Sequence, residues 1–135
     1  HAAQTGSAAS LLFLDLDGFK QVNDHHGHAA GDACLADIGA ILRSHTQAGD
    51  VVARLGGDEF LALLANREAP AVAAVAEDVR LALAAYGLGI SGSLGLVTTA
   101  RPDPADLDRL IACADDAMRD AKRAGKNQVR VTAFK

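Results

Sequence analysis

The chain has no tryptophan, one tyrosine (Tyr86), three prolines and two cysteines among its 135 residues. So few aromatics, with a formal net charge of −4, exclude a nucleic-acid surface built from stacking platforms and basic patches. Cys34 and Cys113 are far apart and lack metal-ligand spacing, so they read as partly buried thiols of a reducing compartment and not as a disulfide framework. No apolar run approaches the ~18 residues of a membrane span, and no signal-peptide pattern is present. The expectation is a cytoplasmic domain with no direct membrane contact of its own, in a parent protein for which a membrane anchor stays open.

What the chain does have is apolar content and glycine. Half of its residues are hydrophobic, enough at this length for one domain with a sizeable core. Two of its glycines lie in Arg54-Leu55-Gly56-Gly57-Asp58-Glu59-Phe60, between the apolar runs Val51-Val52-Ala53 and Leu61-Ala62-Leu63-Leu64. A Gly-Gly pair so flanked predicts a tight hairpin, because glycine reaches the positive φ that such turns need. The hairpin carries Asp58 and Glu59 at its turn. A third carboxylate about 4 Å away would be repelled by roughly 4 kcal/mol at an effective dielectric near 20, a cost that a divalent cation relieves.

A source for that carboxylate lies upstream. Leu11-Leu12-Phe13-Leu14 runs into Asp15-Leu16-Asp17-Gly18, an apolar strand whose end places Asp15 and Asp17 on one face. Hard oxygen ligands of this kind favour magnesium or calcium over zinc, and magnesium takes its remaining ligands from water and substrate phosphates. The histidines in His25-His26-Gly27-His28 fit no standard transition-metal spacing. Basic residues gather late, at Arg119, Lys122, Arg123, Lys126 and Arg130, either as a solvated helix face or as a cradle for a polyphosphate.

Periodicity supplies the remaining elements. Residues 1–10 read as a disordered tail or appended remnant, and 11–135 as the domain. Leu35, Ile38, Ile41 and Leu42 repeat at helical spacing; Asp50–Gly56 and Glu59–Ala65 form the hairpin; and Val72, Val75, Val79 and Leu83 mark a helix over Pro70–Tyr86 closed by Gly87. Ile90–Thr99 is a strand, and Asp103 with Pro104 opens a helix through Leu107, Leu110, Ile111, Ala114 and Met118 that stops near Gly125. Gln128–Ala133 alternates as a closing strand. The order βαββαβαβ predicts an α+β fold, a mixed and mostly antiparallel sheet with flanking helices.

Five ordered stretches resemble the GGDEF family of diguanylate cyclases. They are Asp15 to Asp24, Gly27 to Asp32, the Gly56-Gly57-Asp58-Glu59-Phe60 signature, Ser93-Leu94-Gly95, and Ala114-Asp115-Asp116-Ala117 with Ala121-Lys122 and Gly125-Lys126-Asn127. They span about Leu11 to Val129. The resemblance implies the ferredoxin-like, palm-like fold of nucleotide cyclases, here without the family's usual N-terminal helix, as in a fragment of a longer sensor protein. It implies condensation of two GTP into cyclic di-GMP with release of two pyrophosphates, in bacterial second-messenger signalling. A homodimer would be needed, because each domain holds one GTP. The alternative is a GTP-binding module that regulates an attached phosphodiesterase or other output domain.

The resemblance also assigns roles. Asp15, the Leu16 backbone carbonyl, Asp58 and Glu59 would hold Mg2+ or Mn2+, with Asp58 and Glu59 as catalytic residues and Asp58 as acceptor of the 3′-hydroxyl proton. Asn23, Asp32 and His28 would meet guanine; Gly56 and Gly57 would line the substrate; Lys122 and Lys126 would hold the terminal phosphates, assisted by Lys20 and the amides of Gly18 and Phe19. Lys126 stands where the family usually has arginine, and Arg119 where it commonly has tyrosine; Arg119, four residues after Asp115, also reads as half of an exposed ion pair. The family's Arg-x-x-Asp product-inhibition motif is degenerate here, with Gln47 for the arginine and Asp50 retained.

Overall fold

The computed structural model of the chain describes residues 8–134. In order these form β1 (Ala9–Asp17), α1 (Phe19–His26), α2 (His28–Ser44), β2 (Val51–Gly56), β3 (Glu59–Ala65), α3 (Ala69–Ala84), β4 (Ser91–Thr99), a 3-10 turn (Pro104–Asp106), α4 (Leu107–Arg123) and β5 (Gln128–Ala133). The five strands make one sheet in the order β2-β3-β1-β4-β5. Every neighbouring pair is antiparallel except β4 and β5, which the α4 crossover makes parallel. The first four strands have the ferredoxin-like arrangement, and β5 extends it at one edge.

β1 is the central strand, and its alternation sorts the molecule into two layers. Leu12, Leu14 and Leu16 enter the larger core with Val22 of α1, Ile38 of α2 and Val79 and Leu83 of α3. Leu11 and Phe13 enter a smaller core under α4, with Leu110, Ala114 and Met118. A strand covered on both faces reads as an unbroken apolar run, which is why Leu11 to Leu14 shows no polar alternation. Asp15 and Asp17 continue the odd-numbered face, so the strand delivers both acids to the side where α4 lies.

α4 sits very close to the sheet. A Cβ placed on Gly95 of β4 would be 2.1 Å from the Ala114 carbonyl oxygen and 2.4 Å from the Met118 amide nitrogen, so only glycine lets the helix backbone approach this far. Asp103 caps the 3-10 turn by accepting from the Ala105 amide at 2.9 Å, as the Asp103-Pro104 pair predicts, but a turn of 3-10 helix precedes α4.

Two sequence expectations need correction. The residues assigned to a tail include Ala9 and Ser10, which begin β1; Ser10 is buried and its hydroxyl meets that of Thr98 at 3.0 Å. The rest of that tail, residues 1–7, lies outside the described residues. The first helical region is two helices: α1 was not signalled by periodicity because Val22 is its one buried residue, and α2 begins seven residues before Leu35. Among the described residues, no helix is long and apolar enough to cross a membrane.

Candidate active site

The acids predicted to act together are brought to one end of the sheet. Asp15 pairs directly with Glu59 in the β1–β3 ladder, which puts their side chains on one face. The two residues between the paired Gly56 and Glu59 form the turn, with Gly57 at φ +51. Asp58 is held beside β1 because its carbonyl accepts the Leu16 amide at 3.2 Å. Arg54, not singled out by the sequence reading, fixes the turn from the other side by donating to the Gly57 carbonyl at 2.8 Å.

Lys122, in the last turn of α4, reaches into these acids. Its ammonium lies 3.3 Å from Asp15 Oδ1 and 2.8 Å from Asp17 Oδ1, and it donates to the Leu16 carbonyl at 3.3 Å. Burial pushes the Asp15 carboxyl up; Lys122 opposes this, and the nearby charges of Asp58 and Glu59 reinforce it, leaving the group above its ordinary value. Burial depresses the ammonium of Lys122, but the two aspartates outweigh it and hold Lys122 above its ordinary value.

Asp17, grouped with Asp15 as an acid of the strand end, has a structural place of its own. Its side chain is almost wholly buried and accepts from the hydroxyls of Ser91 and Ser93 at 2.7 Å each, from Lys122, and from the Asn127 amide at 3.0 Å. Burial alone would raise its carboxyl, but these donors prevail and hold it below the usual range. Asp17 is thus a pin joining β1, β4, α4 and the turn into β5. In the β1–β4 ladder Asp15-Leu16-Asp17 faces Ser91-Gly92-Ser93 in register, an alternation of acids opposite an alternation of hydroxyls that only the strand pairing reveals.

The predicted base-contacting residues also gather. Asn23, inside α1, lies so close to α2 that a Cβ on Gly31 would be 1.8 Å from Asn23 Oδ1. Asp32 follows Gly31 within α2, is exposed, and lines an open groove of about 350 Å³ with Leu35, Arg43, Arg54 and Phe60. Neither residue is the turn former or helix cap that its type alone would suggest. His28 is the exposed first residue of α2. Gly18, at φ +80, precedes α1 with no side-chain cap, so the amides of the first turn, Phe19 included, carry no capping side chain.

Other expected contacts are less converged. Lys20 is exposed and lies 4.0 Å from Asp24, and Lys126 is exposed at φ +67 in the turn after α4, its amide donating to the Ala121 carbonyl at 2.9 Å. Arg119 forms the exposed pair with Asp115, at 3.2 Å. Gln47 is exposed, whereas Asp50 turns inward: its carboxylate accepts the Ala65 amide at 2.9 Å and the Gln47 amide at 2.8 Å and pairs with Arg67.

The donor set suits a hard divalent ion, since the Asp15 carboxylate and the Leu16 carbonyl already face a cation, the Lys122 ammonium. Among the described residues, no three His, Cys, Asp or Glu side chains are grouped closely enough to hold a metal by themselves.

Strand-end acids, a Gly-Gly-Asp-Glu turn and a lysine-bearing helix thus meet at one end of a ferredoxin-like sheet. The family profile described as "Diguanylate cyclase, GGDEF domain" matches residues 1–128, and the chain belongs to that family. It is 35% identical over 130 residues to diguanylate cyclase A of Treponema denticola, covering 91% of this chain and 35% of that protein. It is 35% identical over 137 residues to diguanylate cyclase DosC of Escherichia coli, covering 97% of this chain and 30% of that protein. The chain thus spans about a third of the length of these curated relatives. Among solved structures it resembles the coiled coil and GGDEF domain of DgcB from Caulobacter crescentus in complex with c-di-GMP. That match has a TM-score of 0.85 and 26% identity, covering 97% of this chain and 73% of that one.

Proposed function

We propose that this domain is a diguanylate cyclase that joins two GTP molecules, one on each of two facing protomers, into cyclic di-GMP and releases two pyrophosphates. The observation that carries the reading is that Asp15 and the Leu16 carbonyl meet the ammonium of Lys122 beside the turn that bears Asp58 and Glu59. The four acidic-site groups would hold Mg2+ or Mn2+, which when bound would neutralise phosphate charge and acidify the 3′-hydroxyl. Asp58 takes the hydroxyl proton. Lys122 and Lys126, with Lys20 and the amides of Gly18 and Phe19, offset the polyphosphate and the charge that grows on departing pyrophosphate. Gly56 and Gly57 keep the turn free of side chains where the substrate passes. Incubation with GTP and magnesium, followed by chromatography of the products, tests the reading. Cyclic di-GMP supports it; GTP binding without product, in the full-length protein, assigns the domain to regulation of an output domain.

Selectivity for GTP over ATP is expected from Asn23 and Asp32, with His28 alongside. A carboxylate accepts from the guanine N1-H and 2-amino group, while adenine offers neither. Polar groups left unpaired on binding cost about 1–3 kcal/mol each, so GTP should bind roughly 5- to 150-fold more tightly than ATP. Calorimetry with both nucleotides measures this. Equal affinities, or selectivity that survives Asp32→Ala, would misplace the guanine pocket.

Product inhibition is expected to be weak. Gln47 lacks the planar cation of an arginine, and both oxygens of Asp50 are already engaged by Ala65, Gln47 and Arg67. The lost charge-assisted bonds correspond to a tenfold to hundredfold weakening of cyclic di-GMP binding, at about 1.5–3 kcal/mol. A calorimetric titration showing submicromolar affinity that depends on Asp50 would refute this.

A further inference from the structure

We propose that Lys122 acts as the resident cation of the acidic site when no nucleotide is bound, and that substrate phosphates draw it away, so that the divalent ion enters only in company with a nucleotide. The proposal rests on the GTP-binding reading above and adds an order of events to it. Lys122 donates to the Leu16 carbonyl and to Asp17 and pairs with Asp15 at 3.3 Å, and two of these groups, the Asp15 carboxylate and the Leu16 carbonyl, are the ones proposed for the metal. An ammonium and a divalent ion cannot share those oxygens without strong mutual repulsion. While the lysine is seated, Asp15 is neutralised and the site has little call for a free ion.

The two aspartates differ in what happens when the lysine leaves. Asp17 keeps three donors, from Ser91, Ser93 and Asn127, and stays satisfied. Asp15 has Lys122 as its cationic neighbour and Asp58 and Glu59 as anionic ones, so departure of the ammonium leaves a knot of like charges that a divalent ion resolves. A lysine stem has four rotatable carbons, and its ammonium can move from carboxylate to phosphate while α4 stays packed. The exchange moves one positive charge onto the polyphosphate and admits two at the acids.

The test is Mn2+ binding to the nucleotide-free domain, followed by electron paramagnetic resonance. The unmodified protein should bind free Mn2+ weakly, and a non-hydrolysable GTP analogue should tighten that binding beyond the analogue's own affinity for Mn2+. Lys122→Met should bind Mn2+ at least tenfold more tightly without nucleotide, and adding Asp15→Asn to it should remove the gain. The same Lys122→Met variant should bind GTP more weakly in the absence of metal, an opposite sign that a merely structural role would not produce. Unchanged or weaker Mn2+ binding by folded Lys122→Met overturns the proposal. Should that variant not fold, tight Mn2+ binding by the unmodified, nucleotide-free domain overturns it equally well. The GTP reading fails separately, through absence of GTP binding by the unmodified domain, whatever the Mn2+ result.

Discussion

Asp58→Ala is expected to abolish cyclic di-GMP formation while leaving the fold as it is. The contact that anchors this residue is made by its backbone carbonyl to the Leu16 amide, which the substitution preserves. Its carboxylate accepts no hydrogen bond among the described residues and adds to the repulsion on Asp15, so stability should change by no more than about 0.5 kcal/mol. Catalysis loses both a proposed metal ligand and the proposed proton acceptor. If these together supply several kcal/mol, the rate falls by at least about a thousandfold. Thermal unfolding and product chromatography on one preparation separate the two effects. Full turnover by Asp58→Ala would remove this acid from the mechanism.

The largest loss of stability is expected from Gly95→Ala. The added methyl would collide with the backbone of α4 at Ala114 and Met118, and helix backbone has no rotamer in which to escape. Overpacking of this kind costs about 1–3 kcal/mol and occasionally more, and the upper end is expected here, a fall in Tm of roughly 10 °C. Gly92→Ala is the control: its methyl would meet the Cδ1 atoms of Leu83, Leu14 and Leu94, side-chain ends that can rotate aside. A calorimetric Tm for Gly95→Ala equal to that of the unmodified domain would show that α4 is looser on the sheet than its contacts imply. A lifted α4 also carries Lys122 away from Asp15 and Asp17, so GTP affinity should fall along with stability.

The strands and the acids were the legible part of this molecule, and the reasons are local. Gln128 to Ala133 alternates and forms β5 over that same span; the Gly56-Gly57 turn permits one tight hairpin; and Leu11 to Leu14 has no polar residue because β1 is covered on both faces. α1 was illegible because Lys20, Gln21, Asp24, His25 and His26 are exposed and Val22 alone supplies a buried anchor. The beginning of β1 was misplaced because Ala9 and Ser10 are small and Ser10 is polar, while its burial comes from strands that pair with it on both sides. The same limit hid Asp17: whether a strand-end acid faces water or four donors is decided by residues 74 to 110 positions away. Arg54 likewise shows its contact with the Gly57 carbonyl only once the hairpin is closed.

The pin at Asp17 also fixes when in the life of the chain the site comes into being. Its partners arrive in the order of synthesis: Ser91 and Ser93 with β4, Lys122 at the end of α4, and the Asn127 amide just ahead of the last strand, 110 residues after the carboxylate that receives it. A chain emerging from the ribosome with β1, the hairpin and the first three helices complete would display Asp15, Asp58 and Glu59 as an open patch of uncompensated charge, with neither cation nor cover. Closing that patch waits on Lys122 in the last turn of α4, so a chain that stopped short of that turn, however much of the sheet it retained, would carry the signature motif without its cation.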